Sequence, residues 1–298
     1  VVVIEGAGER AFCAGGDIRA VWDARERGEA NRNPALFAAE YRLDRLIHHY
    51  PKPIVALLDG IVMGGGAGVS VNGRFRVATE RTLFAMPECA IGFFPDVGAT
   101  HFLNRCPGNI GLYLGVTGTR LGPSDCLWAG LATHFVPSAE LPALKEALAQ
   151  GGDVAAILDA AHRDPGPSAL AGRAAAVDRC FAAASLREII SNLVAEGADW
   201  SWDALDPIGD TCPFSQAVTF RQLREGRGLT FDDAIRREYR LACRFLQRAD
   251  FYEGIRALVV DKDKSPRWSP QSLADVDPAE IEAMFAPLGE DELEFHPD

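Results

Sequence analysis

The sequence predicts an α/β core over residues 1–137 followed by a helical region over 138–298, and three observations carry that prediction. Two β-branched runs closed by glycine, VVVIEG (1–6) and PIVALLDG (53–60), have the continuous apolar character of strands buried on both faces. Two glycine-rich turns, AFCAGGDIR (11–19) and MGGGAG (63–68), each lie between a strand-like and a helix-like run. From Leu112 onward, Ala-rich stretches separated by Pro, Gly and Asp replace the strand texture.

Taken in order, the run 1–6 is the first strand. A helix is expected from Pro34 to about His49, where Leu36, Phe37, Leu43, Leu46 and Ile47 recur at three and four residue intervals with Pro at an early position. The strand at 53–60 follows. Beyond the second glycine turn, FRVAT (75–79) and LFAM (83–86) are further strands. Helices are expected in LPALKEALAQ (141–150), VAAILDAAH (154–162), AAVDRCFAAASLREIISNLVAEG (175–197) and FDDAIRREYRLACRFLQ (231–247). There is no internal repeat and no low-complexity tract.

The 298 residues and their 48% hydrophobic share suit one large packed domain or two ordinary ones. A net charge of −12 argues against a nucleic-acid surface, which needs clustered Lys and Arg over a whole face. The seven Cys (13, 89, 106, 126, 180, 212, 243) form no CxxC pair; their odd count suits a reducing compartment, and they read as buried small apolar side chains. No apolar run approaches the roughly 20 residues of a membrane span, and no signal peptide is visible. Because the chain starts at Val in a strand-like run, a further N-terminal segment is expected before it.

Two motifs are decoys. VVVIEGAGERA places Gly6, Gly8 and Ala11 at the spacing of a dinucleotide-binding turn, but FCAGGDIR follows directly where a helix, a second strand and an acidic residue belong. Gly68-Val69-Ser70-Val71-Asn72-Gly73 misses the GxSxG nucleophile elbow by one residue, so Ser70 is expected to be a packed helix residue.

The two glycine turns are more informative. A strand-to-helix turn leaves backbone N–H groups pointing into open space, and glycine lets a ligand approach them closely. Two such turns side by side can form an oxyanion hole, although either alone could simply permit tight turning and close packing. After them, FAMPECAIGFFPDVGATHFL (84–103) sets Glu88 and Asp96 among Phe84, Met86, Ile91, Phe93 and Phe94. A carboxyl in such company is either paired or poised for proton transfer or attack.

With these residues in place, FCAGGDIR, PKPIVALLDGIVMGGGAGVSVNGRFRVATE, FAMPECAIGFFPDVGATHFL, LGVTGTRL, AGLATHFV and EGIRALVVDKDKSPRW together resemble the crotonase (enoyl-CoA hydratase/isomerase) superfamily. Within it they resemble the 3-hydroxyisobutyryl-CoA hydrolases, from residue 1 to about 290, lacking only the strand and helix the family has before VVVIEG. The resemblance implies a spiral of repeated ββα units with a C-terminal helical region. It implies an oxyanion hole at the amides of Gly16 and Gly65, catalytic carboxyls at Glu88 and Asp96, and a substrate contact at Glu40, a residue that otherwise reads as a solvated helix charge.

Hydratases of the superfamily use a second Glu just after the GGG turn, and that position is Gly68 here. The implied reaction is therefore hydrolysis of a short 3-hydroxyacyl-CoA thioester, most directly 3-hydroxyisobutyryl-CoA in valine breakdown. An enoyl-CoA hydratase or isomerase, and a non-catalytic acyl-CoA-binding homologue, remain the alternatives. The chain departs from the hydrolase pattern at Asn72, usually His, and at Ala99, usually Gly.

Arg10, Lys262 and Lys264 match basic positions near the nucleotide of coenzyme A, with ordinary surface charge as the simpler reading. No cofactor or metal is implied beyond the coenzyme A of the substrate. No membrane or nucleic-acid partner is implied, and a homo-oligomer is left open. The Ala- and Arg-rich composition suits a bacterial cytoplasm, whereas eukaryotic members of the family are mitochondrial.

Overall fold

The computed structural model describes residues 1–30 and 33–295; residues 296–298 of the expected helical region lie outside the described residues. Among the described residues there are seven strands: β1 (Val2–Glu5), β2 (Ala11–Cys13), β3 (Ile54–Leu58), β4 (Ile61–Met63), β5 (Phe75–Ala78), β6 (Leu83–Ala85) and β7 (His134–Phe135). The odd-numbered strands form one parallel sheet, ordered β1-β3-β5-β7, and the even-numbered strands form another, ordered β2-β4-β6. Each consecutive pair therefore places one strand in each sheet before the chain returns through helix, which is the ββα spiral. Helices α1 (Ile18–Glu26) and α2 (Asn33–His49) follow the first pair, and α3 (Gly65–Val71) follows the second.

β3 shows why a continuous apolar run was required. Val55 and Leu57 join Val77, Val136, Leu144, Leu148 and Leu158 on one side of the larger sheet, where the helices at 141–149 and 154–161 pack. Ala56 and Leu58 belong to the main core on the other side. With both faces covered, no position in the strand can be polar. The main core runs without a break from Phe12 and Val62 through Phe93 and Phe94 to Phe214, Phe245 and Phe251 of the helical region.

The helix expected at 34–49 is present as α2, but its buried face differs from the expected one. Leu36, Leu43 and Leu46 are 52%, 45% and 43% exposed, while Phe37, Ala38, Tyr41, Asp44 and Ile47 point inward. The leucine spacing misleads because the inward stripe carries a tyrosine and an aspartate, which an apolar pattern does not count. The expected helix at 175–197 is two helices, Ala169–Phe181 and Leu186–Glu196. Ser185 caps the second by accepting from the Glu188 amide, while Glu188 accepts from the Ala184 amide, a reciprocal start signal written in the sequence as SLRE. Helices Asp199–Asp210 and Pro213–Glu225 are not predicted by apolar spacing.

Ser70 is a packed helix residue, fully buried with its hydroxyl donating to the Gly66 carbonyl (2.6 Å). All seven cysteines are free; five are buried and Cys13 and Cys243 half-buried. Burial pushes the Cys89 and Cys106 thiols up to about 12, so neither is a ready nucleophile. No helix among the described residues is long and apolar enough to cross a membrane.

Candidate active site

The two glycine turns meet. Gly15 (φ +108°) and Gly64 (φ +53°) occupy backbone conformations that L side chains rarely adopt. A β-carbon on Gly64 would stand 3.3 Å from the Gly15 Cα, and one on Gly15 would stand 3.7 Å from the Gly65 nitrogen. The turns thus lie in backbone contact, and the positive φ of Gly15 and Gly64 is what calls for glycine on both sides. The amide of Gly16 and that of Gly65, the first residue of α3, donate to no protein acceptor among the described residues. Gly66 has a separate purpose: it lets α3 press against the Cys13 carbonyl of β2.

Three carboxyls converge on this place from three elements. Glu88 opens the single helical turn Glu88–Ile91 after β6 and is only 5% exposed. Its Oε1 lies 3.7 Å from where a Gly64 β-carbon would be, and its Oε2 has no hydrogen-bond partner among the described residues. Burial pushes this carboxyl up to about 8. Glu40 comes from α2, its Oε1 2.5 Å from the position of a Gly65 β-carbon, so that glycine makes room for the carboxyl; burial raises its pKa. Asp96 accepts a 2.7 Å hydrogen bond from the Tyr41 hydroxyl. Burial first, then the neighbouring Glu40 and Glu88 charges, hold Asp96 well above the usual carboxylate range, and the Tyr41 bond offsets only part of that.

The loop bearing Asp96 is fixed from three sides. Gln222 donates to the Pro95 carbonyl (2.7 Å) and to the Thr100 hydroxyl (2.8 Å). Asn72 donates to the Val97 carbonyl (2.9 Å) and to Gly68 of its own helix (2.9 Å). Buried Glu238 accepts from the Gly98 and Thr100 amides, both at 2.7 Å, and so caps the helix at 99–102. Burial still leaves Glu238 at about 7. Between these anchors Val97 has φ +54°, an uncommon conformation for a β-branched residue and one that persists only where the surroundings enforce it.

Gly16, Gly65, Glu40, Glu88 and Asp96 all line one cavity of about 230 Å³, with Phe93, Phe251 and Leu258 among its apolar walls. Arg10, Lys262 and Lys264 do not line it; they are exposed, Arg10 just before β2 and the two lysines in the loop beyond Leu258. Tyr41, Gln222 and Glu238 are site residues that sequence reasoning missed. Tyr41 was legible as the residue beside Glu40 on a helix, but the other two lie more than a hundred residues from the loop they hold. The described residues contain no group of three or more His, Cys, Asp or Glu arranged to hold a metal ion.

A family model for enoyl-CoA hydratase/isomerase matches residues 1–285. The mitochondrial 3-hydroxyisobutyryl-CoA hydrolase of Xenopus tropicalis is 44% identical over 305 residues, covering 99% of this chain and 79% of that protein. Two crystal structures superpose closely. A carnitinyl-CoA dehydratase from Mycobacterium thermoresistibile has a TM-score of 0.94 and 39% identity, covering 100% of this chain and 86% of its own. An enoyl-CoA hydratase from Rhodobacter sphaeroides 2.4.1 has a TM-score of 0.92 and 40% identity, covering 99% and 86%.

Proposed function

Since the chain belongs to the enoyl-CoA hydratase/isomerase family, we propose that it hydrolyses a short 3-hydroxyacyl-CoA thioester, foremost 3-hydroxyisobutyryl-CoA in valine breakdown, with no cofactor beyond the coenzyme A of the substrate. The observation that carries this reading is the placement of Glu88 and Asp96 on one cavity with two unengaged glycine amides, while position 68 has no side chain. Hydration of a double bond in this superfamily draws on a second glutamate at that position. The two crystal structures are named for dehydration and hydration, but the residues here favour the reaction named for the Xenopus relative.

The thioester carbonyl oxygen sits between the Gly16 and Gly65 amides. As the carbonyl carbon becomes tetrahedral its oxygen gains negative charge, and fixed N–H donors in a dry site stabilise that charge more than they stabilise the starting carbonyl. Glu88, ionised and with its Oε2 free of a hydrogen-bond partner, attacks the carbon. The C–S bond breaks, coenzyme A leaves as its thiol after taking a proton, and water opens the resulting mixed anhydride to the free acid and Glu88. Asp96, steadied by Tyr41, orients the water and shares the substrate hydroxyl with Glu40. A substrate lacking that hydroxyl leaves buried carboxyls unpaired, which gives selectivity. Arg10 and the pair Lys262 and Lys264 are the candidates for the coenzyme A phosphates. We assign the protein to the cytoplasm of a bacterium, or to the mitochondrion of a eukaryote, as in the Xenopus relative.

Free-thiol release from 3-hydroxyisobutyryl-, 3-hydroxypropionyl- and crotonyl-CoA tests the reading. Release is expected from the first two, and loss of that release in Glu88→Ala. Rapid hydration of crotonyl-CoA without thiol release, or tight acyl-CoA binding with no turnover, overturns it.

A further inference from the structure

A second cavity, of about 420 Å³, opens at the far ends of α2 and α3. His48, Lys52, Arg74, Arg76, His101 and Arg105 line it, and no Asp or Glu does, in a chain whose net charge is −12. The four cations have no carboxylate partner among the described residues. Arg76, at the floor, spends its guanidinium on three carbonyls, those of Gly73, Gly130 and Leu131 (2.9 to 3.0 Å). A guanidinium has five N–H donors, so two of them stay uncommitted. Burial lowers Arg76 to about 10, which leaves it charged at neutral pH. Arg105 gives one bond, to the His101 carbonyl (3.1 Å), and the Arg74 guanidinium lies over the Phe75 ring. Asp232, the carboxylate that acts on His48, is held by Arg45 and His49 and does not reach the cavity wall. Burial, and after it Arg105 and His48, hold His101 down to about 4.

Cations of this kind, without carboxylate partners and lining one cavity, match the charge and fork geometry of phosphoryl oxygens. The cavity is separate from the first. Along α2, eight residues or about 12 Å divide Glu40 from His48, and the packed contact of Asp44 with Gly68 lies between the two cavities.

We propose that this basic cavity is a second ligand site, which binds a pyrophosphate group, either free or carried by a nucleoside diphosphate, independently of the acyl-CoA at the first. Calorimetric titration of the whole protein with sodium pyrophosphate and with ADP tests it, each repeated in the presence of saturating free coenzyme A. One site per chain is expected, with affinity that falls as salt rises and does not change with coenzyme A. In Arg74→Gln/Arg105→Gln, binding should weaken on the order of tenfold or more while thiol release from 3-hydroxyisobutyryl-CoA continues, which also shows that the variant is folded. The tighter of the two ligands identifies the source of the group. No binding at millimolar concentration, equal affinity in the double variant, or displacement by coenzyme A overturns the proposal.

Discussion

The Asp44 carboxyl of α2 fills the space beside Gly68 of α3: a β-carbon on Gly68 would stand 2.6 Å from Asp44 Oδ1 and 2.8 Å from the Val97 β-carbon. Neither oxygen of Asp44 has a hydrogen-bond partner among the described residues, and the side chain is fully buried. Burial, followed by the charges of Glu40, Asp96 and Glu238, raises its pKa well above the ordinary value, which favours the uncharged form. Gly68→Glu therefore cannot restore a hydratase-like pair. It is expected to cost about 3 to 5 kcal/mol by overpacking and by burying another carboxyl, and to leave crotonyl-CoA unhydrated. Denaturant melts and a hydration assay check both, and a stable variant that hydrates crotonyl-CoA contradicts the account.

The raised pKa of Glu88 sets the pH dependence of turnover. A glutamate that attacks carbon must be ionised, and burial holds this one protonated up to about pH 8. With 3-hydroxyisobutyryl-CoA, kcat/KM should climb about tenfold per pH unit on the acid side and level off above about pH 8, since this parameter reports the free enzyme. A profile already flat between pH 6 and 8 would exclude Glu88 as the ionising group.

The same raised pKa acts on stability with the opposite sense. Glu88 moves from an unfolded value near 4.5 to about 8, and Glu238 from 4.5 to about 7, so the folded chain holds more protons between those limits. The stability these two groups contribute is complete below about pH 4.5 and is lost as pH rises through 7 and 8. Each carboxyl loses about 1.4 kcal/mol for every pH unit between its unfolded and folded values. Glu88→Gln, which cannot ionise, should thus melt higher than the parent at pH 8.5, and the gap should shrink by pH 5.5. Thermal melts at the two pH values decide this, and a gap independent of pH refutes it.

Glu238→Ala removes the acceptor shared by the Gly98 and Thr100 amides. Two buried donors lose their partner, at about 1 to 3 kcal/mol each, and the strained loop at Val97 is free to relax. A shift of about 1 Å in Asp96 costs on the order of 100-fold in kcat. Coenzyme A affinity should be unchanged, because residue 238 does not line the cavity. Full kcat in a variant that has lost stability would show that the capping is structural only.

What could be read from the sequence was what is local. The strands at 54–58 and 75–78, the glycine turns, and Glu88 and Asp96 each announce themselves by residue type within a short window. The inward face of α2 could not be read, because Asp44 sits where an apolar residue belongs and three leucines face out. β2 and β4, three residues each, are too short to show a period and read as parts of the turns beside them. Gln222 and Glu238 carry no sign of their role, since the groups they hold lie 127 and 140 residues earlier in the chain.

That separation has a consequence for synthesis. Both glycine turns and the Glu88 turn are complete within the first third of the polypeptide, but the clamp on the Asp96 loop arrives only with the helices at 213–225 and 231–245. A ribosome-bound chain ending before residue 238 carries the acid loop with its last fastener missing. The loop that carries Asp96 is thus fully fastened only once residue 238 has been made, long after every residue of the loop itself.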